Sequence, residues 1–580
     1  MYTRAFLRLL SSFLLFSSTP WALAQNSSSS SVGQNASSPV LPTASAGHVL
    51  NPAVDDFIGK ILSDWGSSGG VAIAVVRMDA EGNWTVEKKG YGNATLNGTK
   101  VTEDTRFGIG SNSKLFDVVA TGLLMHNTSI TPPVTWRTKI SSIIKEWELE
   151  DPIATEHATI LDLMSHRTGL PRHDLMYGYN DTIPSLIERL KYLQPSAEFR
   201  DIWQYTNTMY MVLSSLPTHL LKHKPPFARY VKDNIFVPLG LKDTTYSFEI
   251  AKASGLMAES FAREGVDVAA NPLAPGTPRP VPWLFHGEDG NTLLLGGLNP
   301  ETGAEVIPSE VLSTVATGVL NLPGVSPWPE VSPTVYGGGQ MSFSYRGHDI
   351  IEHGGKVSGF NTQIARLPSD GLGIAVFTND DTYGGFFMDI IKFYLIDRAL
   401  GLEPIDWNGR SSFVKPRFLP VVPLVFPGPP ATPRPADAKP PTGGFGSLAG
   451  QYSNPGYGSY KFCYIPPNTT GSHSIAPPSN MSSTNCNDLI SSLPTLLPGA
   501  LDPTIPTYIS RWDKAFDFVV FSHFDGDLFN ATGLSGYVRP FSLISTFSLS
   551  DHTSTIQYSR QWILRIHTSP TRPSHHPSPE

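Results

Sequence analysis

A serine and a lysine three residues apart, Ser111 and Lys114, stand in "FGIGSNSKLFDVVATGLL" (107–124), where a glycine-bearing turn runs into an apolar helical pattern. A serine hydroxyl is a poor nucleophile until a base removes its proton. An i, i+3 pair on a helix shares one face, which brings Lys114 within reach of Ser111. A lysine in a poorly solvated cleft gives up its own proton more readily and so becomes a candidate base. The positive end of the helix would also lie beneath an oxyanion formed at Ser111. The competing reading is a helix-capping serine beside a surface lysine, and the spacing alone does not decide between them.

Two later stretches do. "WQYTNTMYMVL" carries Tyr205-x-Asn207, again where a turn enters an apolar helix. A tyrosine beside an ammonium group is a plausible base for the serine, and an asparagine can steady the lysine and donate to a substrate carbonyl. "IEHGGKVSGF" carries His353-Gly354-Gly355 at the end of what reads as an edge strand, "HDIIEH". Two glycines let the backbone approach a substrate closely, and a main-chain N–H just after them can complete an oxyanion hole. Three such motifs in this order are an improbable coincidence. His166 and Arg167 in "SHRTG" read as loop-shaping residues, and Asp380 and Asp381 read as a solvated turn after a strand.

The elements that must hold these residues follow from periodicity. "PAVDDFIGKILSDWG" reads as an amphipathic helix, "GGVAIAVVRMD" as a buried strand and "NWTVEKKGYG" as its partner. A mostly helical middle runs from Ser111 to about Leu241, and 251–335 is irregular and rich in Gly and Pro. Strand patterns return with "FNTQIARLP" and "LGIAVFTND", and "FFMDIIKFYLIDRAL" closes the block as a helix. One antiparallel sheet built from both ends of this block, beside an all-helical region, is the simplest architecture, with a cleft between the halves.

The rest of the chain bounds the setting. With 580 residues, 40% hydrophobic and 16% charged, the chain is too long for one core. A net charge of −8 without a basic block argues against nucleic acid as a partner. Residues 1–24 read as a signal peptide: Arg4 and Arg8, a short apolar centre, then small residues at Ala22–Ala24. No membrane contact is expected once it is removed. A Ser-rich, disordered spacer spans 25–51, the periodic block 52–405, a Pro-rich linker 406–445, a β-rich region 446–566 and a disordered tail 567–580. Sequons at Asn26, Asn35, Asn83, Asn93, Asn97, Asn127, Asn180, Asn468, Asn480 and Asn530 fit an exported glycoprotein. Cys463 and Cys486, the only cysteines, are expected to form one local disulfide in an oxidising compartment. Neither a metal nor an organic cofactor is expected, since there is no zinc-binding histidine cluster.

Across roughly 52–402 the chain resembles the serine β-lactamase and penicillin-binding-protein superfamily, in its branch of class C β-lactamases, D-aminopeptidases and family VIII esterases. Besides the three motifs, "LMSHRTGLP", "IFVPLGLKDTTYS" and "YGGGQMSF" are similar to stretches of that branch. The resemblance implies an α/β (α+β) fold: an antiparallel sheet flanked by helices, an all-helical subdomain, and a small all-β, lipocalin-like barrel after it. It implies Ser111 as the acylated nucleophile, Lys114 and Tyr205 as the base pair and Asn207 as a positioning donor. His353, Gly354 and Gly355 would line the substrate site, and the N–H groups of Ser111 and Lys356 would form the oxyanion hole. Family members active on penicillin carry Lys-Thr-Gly where this chain has His353-Gly354-Gly355. That departure favours a secreted, fungal-type esterase or acyltransferase acting on a small ester, amide or peptide. A D-amino-acid peptidase, amidase or β-lactam hydrolase is the alternative, and a catalytically idle glycoprotein the third.

Overall fold

The computed structural model describes residues 47–79, 81–178, 181–261, 299, 302–324, 326, 328–357, 359–412, 434–467, 486, 489, 502, 504–512, 518–536 and 555–565. The expected signal segment, nearly all of the spacer, the tail, most of the Pro-rich linker and the sequons Asn26, Asn35, Asn180, Asn468 and Asn480 lie outside these residues.

Eight strands build one antiparallel sheet: β1 (Gly70–Met78), β2 (Trp84–Gly92), β3 (Leu320–Asn321), β4 (Val335–Tyr336), β5 (Met341–Tyr345), β6 (His348–Val357), β7 (Phe360–Leu367) and β8 (Leu372–Thr378). Their order is β2-β1-β8-β7-β6-β5-β4-β3, so the first strand sits beside the last. In β1 large and small side chains alternate with the pleat. Val71, Ile73 and Val75 face the helices Pro52–Asp64 and Gly384–Leu400, while Ala74 faces the helical half. Asn51 caps the first helix by accepting from the N–H groups of Ala53 and Val54, and Pro52 occupies its first turn.

The other face of the sheet carries the Lys114–Met125 helix, which packs against the helices Asn207–Leu213 and Ser309–Ala316. Wrapped on both sides, that helix buries Val118, Val119, Ala120 and Leu124. The expected division into a sheet half and a helical half is thus present, with Ser111 at the seam.

The structure departs from the sequence reading at four places. Order begins before residue 51: Val49 is buried, and the N–H groups of Val49 and Leu50 donate to Glu87 at 3.0 and 2.8 Å. The stretch expected to be linker opens with a helix, Trp407–Ser412, because Trp407 finds a buried seat stacked on Phe393. Asp380 and Asp381 are buried rather than solvated. Asp380 accepts from the N–H groups of Thr382 and Tyr383 and from the Ser67 hydroxyl, and Asp381 accepts from the Gly359 N–H. Finally, β6 is not an edge strand, since β5 pairs with it as far as Met341–Glu352. From His353 onward, however, β6 pairs only with β7, so its last five residues present one open side.

The C-terminal region is a second antiparallel sheet of six strands in sequential order: β9 (Gly450–Asn454), β10 (Gly458–Ile465), β11 (Thr507–Arg511), β12 (Phe518–Asp525), β13 (Leu528–Gly536) and β14 (Thr555–Arg565). It curls into a half-barrel around Leu448, Tyr508 and Phe529. Cys463 and Cys486 are joined in a disulfide, as the sequence led one to expect.

Candidate active site

Ser111 lies in a 3-10 turn, Gly110–Ser113, that feeds the Lys114–Met125 helix. The turn is pressed onto β6. Gly110 has φ +54, and a Cβ there would lie 2.7 Å from the Lys356 nitrogen. A Cβ at Gly355 would lie 1.8 Å from the Ile109 carbonyl oxygen, an impossible approach for any other residue. Thr362 on β7 fixes the contact, donating to the Ile109 carbonyl at 2.9 Å and accepting from Asn112 at 3.0 Å. Gly355 of the His-Gly-Gly motif is thus needed for the nucleophile turn to dock.

Around Ser111 the expected residues converge. Lys114 Nζ donates to Ser111 Oγ at 3.0 Å, and the Tyr205 hydroxyl meets the same oxygen at 2.5 Å. Lys114 Nζ also donates to Asn207 Oδ1 at 2.8 Å and lies 4.8 Å from the centre of the Tyr205 ring. Only 5% of Lys114 is exposed, so its ammonium group has exchanged water for these partners. Val357 pairs with Phe360 across the hairpin between β6 and β7. Antiparallel ladders alternate residues that bond their partner with residues that do not. A two-residue hairpin closes on a bonded pair, so the Lys356 N–H, one residue before it, turns away from β7, toward the side beside Gly110.

His353 is placed differently from a residue that would hold substrate. It is 4% exposed and enclosed by aromatic rings. A chain of hydrogen bonds fixes its tautomer. The Thr206 N–H donates to His166 Nδ1 at 3.2 Å, which leaves the proton of His166 on Nε2, facing the Tyr336 hydroxyl at 3.2 Å. Tyr336 then donates to His353 Nε2 at 3.1 Å, and His353 Nδ1–H donates to the Gly354 carbonyl at 2.5 Å. Every position in the chain is filled with both imidazoles neutral. Burial, reinforced by the charge of Lys114, lowers His353 to about 3 and holds His166 well below the ordinary histidine range.

That neutrality has a measurable cost. The unfolded chain takes up protons on these histidines below about pH 6.5, while the folded chain does not. Stability is therefore full above that pH and falls as the pH drops toward 3. Between pH 7 and 5.5 each histidine should remove about 1 kcal/mol of unfolding free energy. Urea denaturation at the two pH values measures the loss, and His353→Gln should reduce it by about 1 kcal/mol. An identical loss in the variant would mean that His353 takes up protons in the folded state.

Asn207 is itself held from behind. Its Nδ2 donates to Asp174 Oδ1 at 3.2 Å and to the Tyr177 hydroxyl at 3.3 Å, and Tyr177 donates to Asp174 at 2.9 Å. Arg172 pairs with Asp174 at 2.6 Å and stacks over the Tyr205 ring at 5.2 Å. Sequence reasoning passed over Arg172, Asp174, Tyr177 and Tyr336, because none has a fixed spacing to a motif residue. For Tyr336 the one available signal is its place directly before the Gly337–Gly339 run. His166 and Arg167 do shape their loop: His166 as above, Arg167 through Asp162 at 2.6 Å.

An antiparallel sheet with helices on one side, an all-helical half on the other and a serine–lysine–tyrosine cluster at the seam defines the β-lactamase/transpeptidase-like fold. Residues 63–307 match the family model described as Beta-lactamase. It is similar to an unguisins hydrolase of Aspergillus campestris, 28% identical over 443 residues, spanning 72% of this chain and 78% of that one. An unguisins hydrolase of Aspergillus violaceofuscus is 29% identical over 429 residues, spanning 67% and 72%. Among solved structures, the octameric penicillin-binding protein homologue from Pyrococcus abyssi superposes with a TM-score of 0.50 at 16% identity. That match covers 84% of this chain and 96% of the other.

Proposed function

We propose that this chain is a serine hydrolase that works through an acyl-enzyme on Ser111. The observation that carries the proposal is a single oxygen, Ser111 Oγ, held between Lys114 Nζ at 3.0 Å and the Tyr205 hydroxyl at 2.5 Å. Ser111 Oγ attacks the carbonyl carbon of an ester or amide, and its proton passes to the Lys114–Tyr205 pair in the state where that pair holds one proton fewer, the Tyr205 phenolate beside the Lys114 ammonium. The oxyanion of the tetrahedral intermediate is held by the N–H groups of Ser111 and Lys356. The same pair returns the proton to the departing alcohol or amine, which leaves Ser111 acylated. Water then repeats the sequence and frees the acid. No step needs a cofactor.

The choice of substrate rests on charge. A lysine at position 353 would offer a cation to a substrate carboxylate, whereas the neutral, buried His353 does not. An acyl group without a carboxylate at that position suits the site best, in an ester first and an amide second. The naming of two relatives as unguisins hydrolases supports hydrolysis over transfer to another acceptor. The proposal includes export from the cell, supported by the signal-like residues 1–24, the exposed sequons Asn83 and Asn97, and the Cys463–Cys486 disulfide.

A fluorophosphonate tests the reaction directly. Wild-type protein should gain the mass of one adduct on Ser111 and hydrolyse short-chain nitrophenyl esters, and Ser111→Ala should do neither. An adduct on another serine, or equal ester turnover by Ser111→Ala, would refute the assignment.

A further inference from the structure

The loop 172–177 has two faces. Arg172, Asp174 and Tyr177 turn toward the site, where they hold Tyr205 and Asn207. His173 and Leu175, the residues between, turn toward the C-terminal half-barrel. His173 Nε2 faces the Gln194 carbonyl at 2.9 Å, so the proton sits there and Nδ1 accepts from the Tyr457 hydroxyl at 2.5 Å. The Leu175 carbonyl accepts from Trp512 Nε1 at 3.0 Å. His173 sits in the left-handed region at φ 42, a conformation a non-glycine residue keeps only when its surroundings impose it.

The half-barrel is built to grip. Tyr457 ends the turn between β9 and β10, which Asn454 stiffens by accepting from the N–H groups of Gly456 and Tyr457 at 2.8 and 3.1 Å. A Cβ at Gly456 would come within 2.8 Å of Leu193, so the turn lies flush on the helical half. Trp512 is stacked flat on Tyr460, with ring centroids 3.8 Å apart and planes inclined by 6°. Both hydrogen-bond donors are therefore presented from rigid supports.

From these contacts we infer that the C-terminal half-barrel is a positioning element of the Ser111 site: through Tyr457 and Trp512 it fixes the loop that holds Asn207 and Tyr205. The inference rests on the acyl-enzyme reading for its catalytic consequence, but not for the clamp itself. Tyr457 and Trp512 touch no reacting atom and act only through the loop. Loosening the loop lets Asn207 and Tyr205 drift from Lys114 and Ser111, and small displacements of this kind slow the chemical step more than they weaken binding.

The test uses the full chain with Tyr457→Phe, which removes only a hydroxyl, Trp512→Phe, which removes the N–H donor with one ring of the indole, and both together. Hydrogen exchange of the amides in 170–178 reads the clamp, and the saturation kinetics of fluorophosphonate labelling read the site. In the double variant exchange should quicken at least tenfold, and the maximal labelling rate should fall about tenfold. The probe concentration for half-maximal rate should stay unchanged, and the chain should remain folded with a modestly lower Tm. Unaltered exchange overturns the inference, as does faster exchange with an undiminished maximal rate. If the double variant unfolds, Tyr457→Phe alone decides by the same two readouts with a smaller expected change, about threefold. A wild type that takes no label refutes the acyl-enzyme reading instead, and the exchange comparison then decides the clamp by itself.

Discussion

Lys114→Met is expected to slow acylation of Ser111 by about 10³-fold while the protein stays folded. The lysine nitrogen contacts both Ser111 Oγ and Asn207 Oδ1, so its loss removes the cation that supports proton transfer from Ser111 to Tyr205 and the link that aligns the asparagine. Methionine is the fitting replacement because it is unbranched and fills the buried stem's place beside Tyr210. Taking a charge out of a buried site often strands its counter-ion, but Lys114 makes no ion pair among the described residues, and the acid that feels its charge is Asp117. Burial pushes that carboxyl well above the usual carboxylate range, against the pull of Lys114, so losing the lysine shifts it further toward its neutral form. Stopped-flow labelling with a fluorophosphonate, alongside the Tm, measures both effects. Retention of a tenth or more of the wild-type rate would remove Lys114 from the proton-transfer step.

Tyr205→Phe should cost 10²- to 10⁴-fold in the same assay, the range for loss of a general base. The ring keeps its neighbours in the variant: Lys114 Nζ at 4.8 Å, Arg172 at 5.2 Å and the His166 ring at 4.4 Å. Only the hydroxyl that meets Ser111 Oγ is lost. A loss below threefold would exclude the tyrosine as the base and leave Lys114 to act alone. The double variant adds a sharper reading. If the two residues share one proton, removing both should cost little more than removing either, because residues acting as a unit are strongly non-additive.

What could be read from the sequence, and what could not, follows from distance along the chain. Ser111 with Lys114, and Tyr205 with Asn207, are short-range patterns at the starts of helices, where periodicity is clear, and the structure brings all four together. The sheet was equally legible, since β1 and β8 are apolar runs of strand length. His353 was visible as a residue but not as an environment. Its enclosure depends on Tyr336 and His166, which reach it from other elements. Asp380 and Asp381 look solvated because adjacent carboxylates usually are, yet the backbone turns there so that its own N–H groups satisfy Asp380. The loop 172–177 had no signature at all, because its purpose is set by Asn207 on one side and by Tyr457 and Trp512 on the other.

The adjacency of β1 and β8 governs when the site can exist. Val71 pairs with Thr378, so the second strand to flank β1 is among the last parts of the domain to be synthesised. The docking surface for the Ser111 turn, Gly355 and Thr362, is made late as well. Pairings this distant in sequence are slow to form and wait on the whole chain. A ribosome-bound chain ending before β6 would hold Ser111, Lys114 and Tyr205 without the strand that seats them. On this topology the nucleophile is assembled only at the close of folding, after the domain's entire length is available.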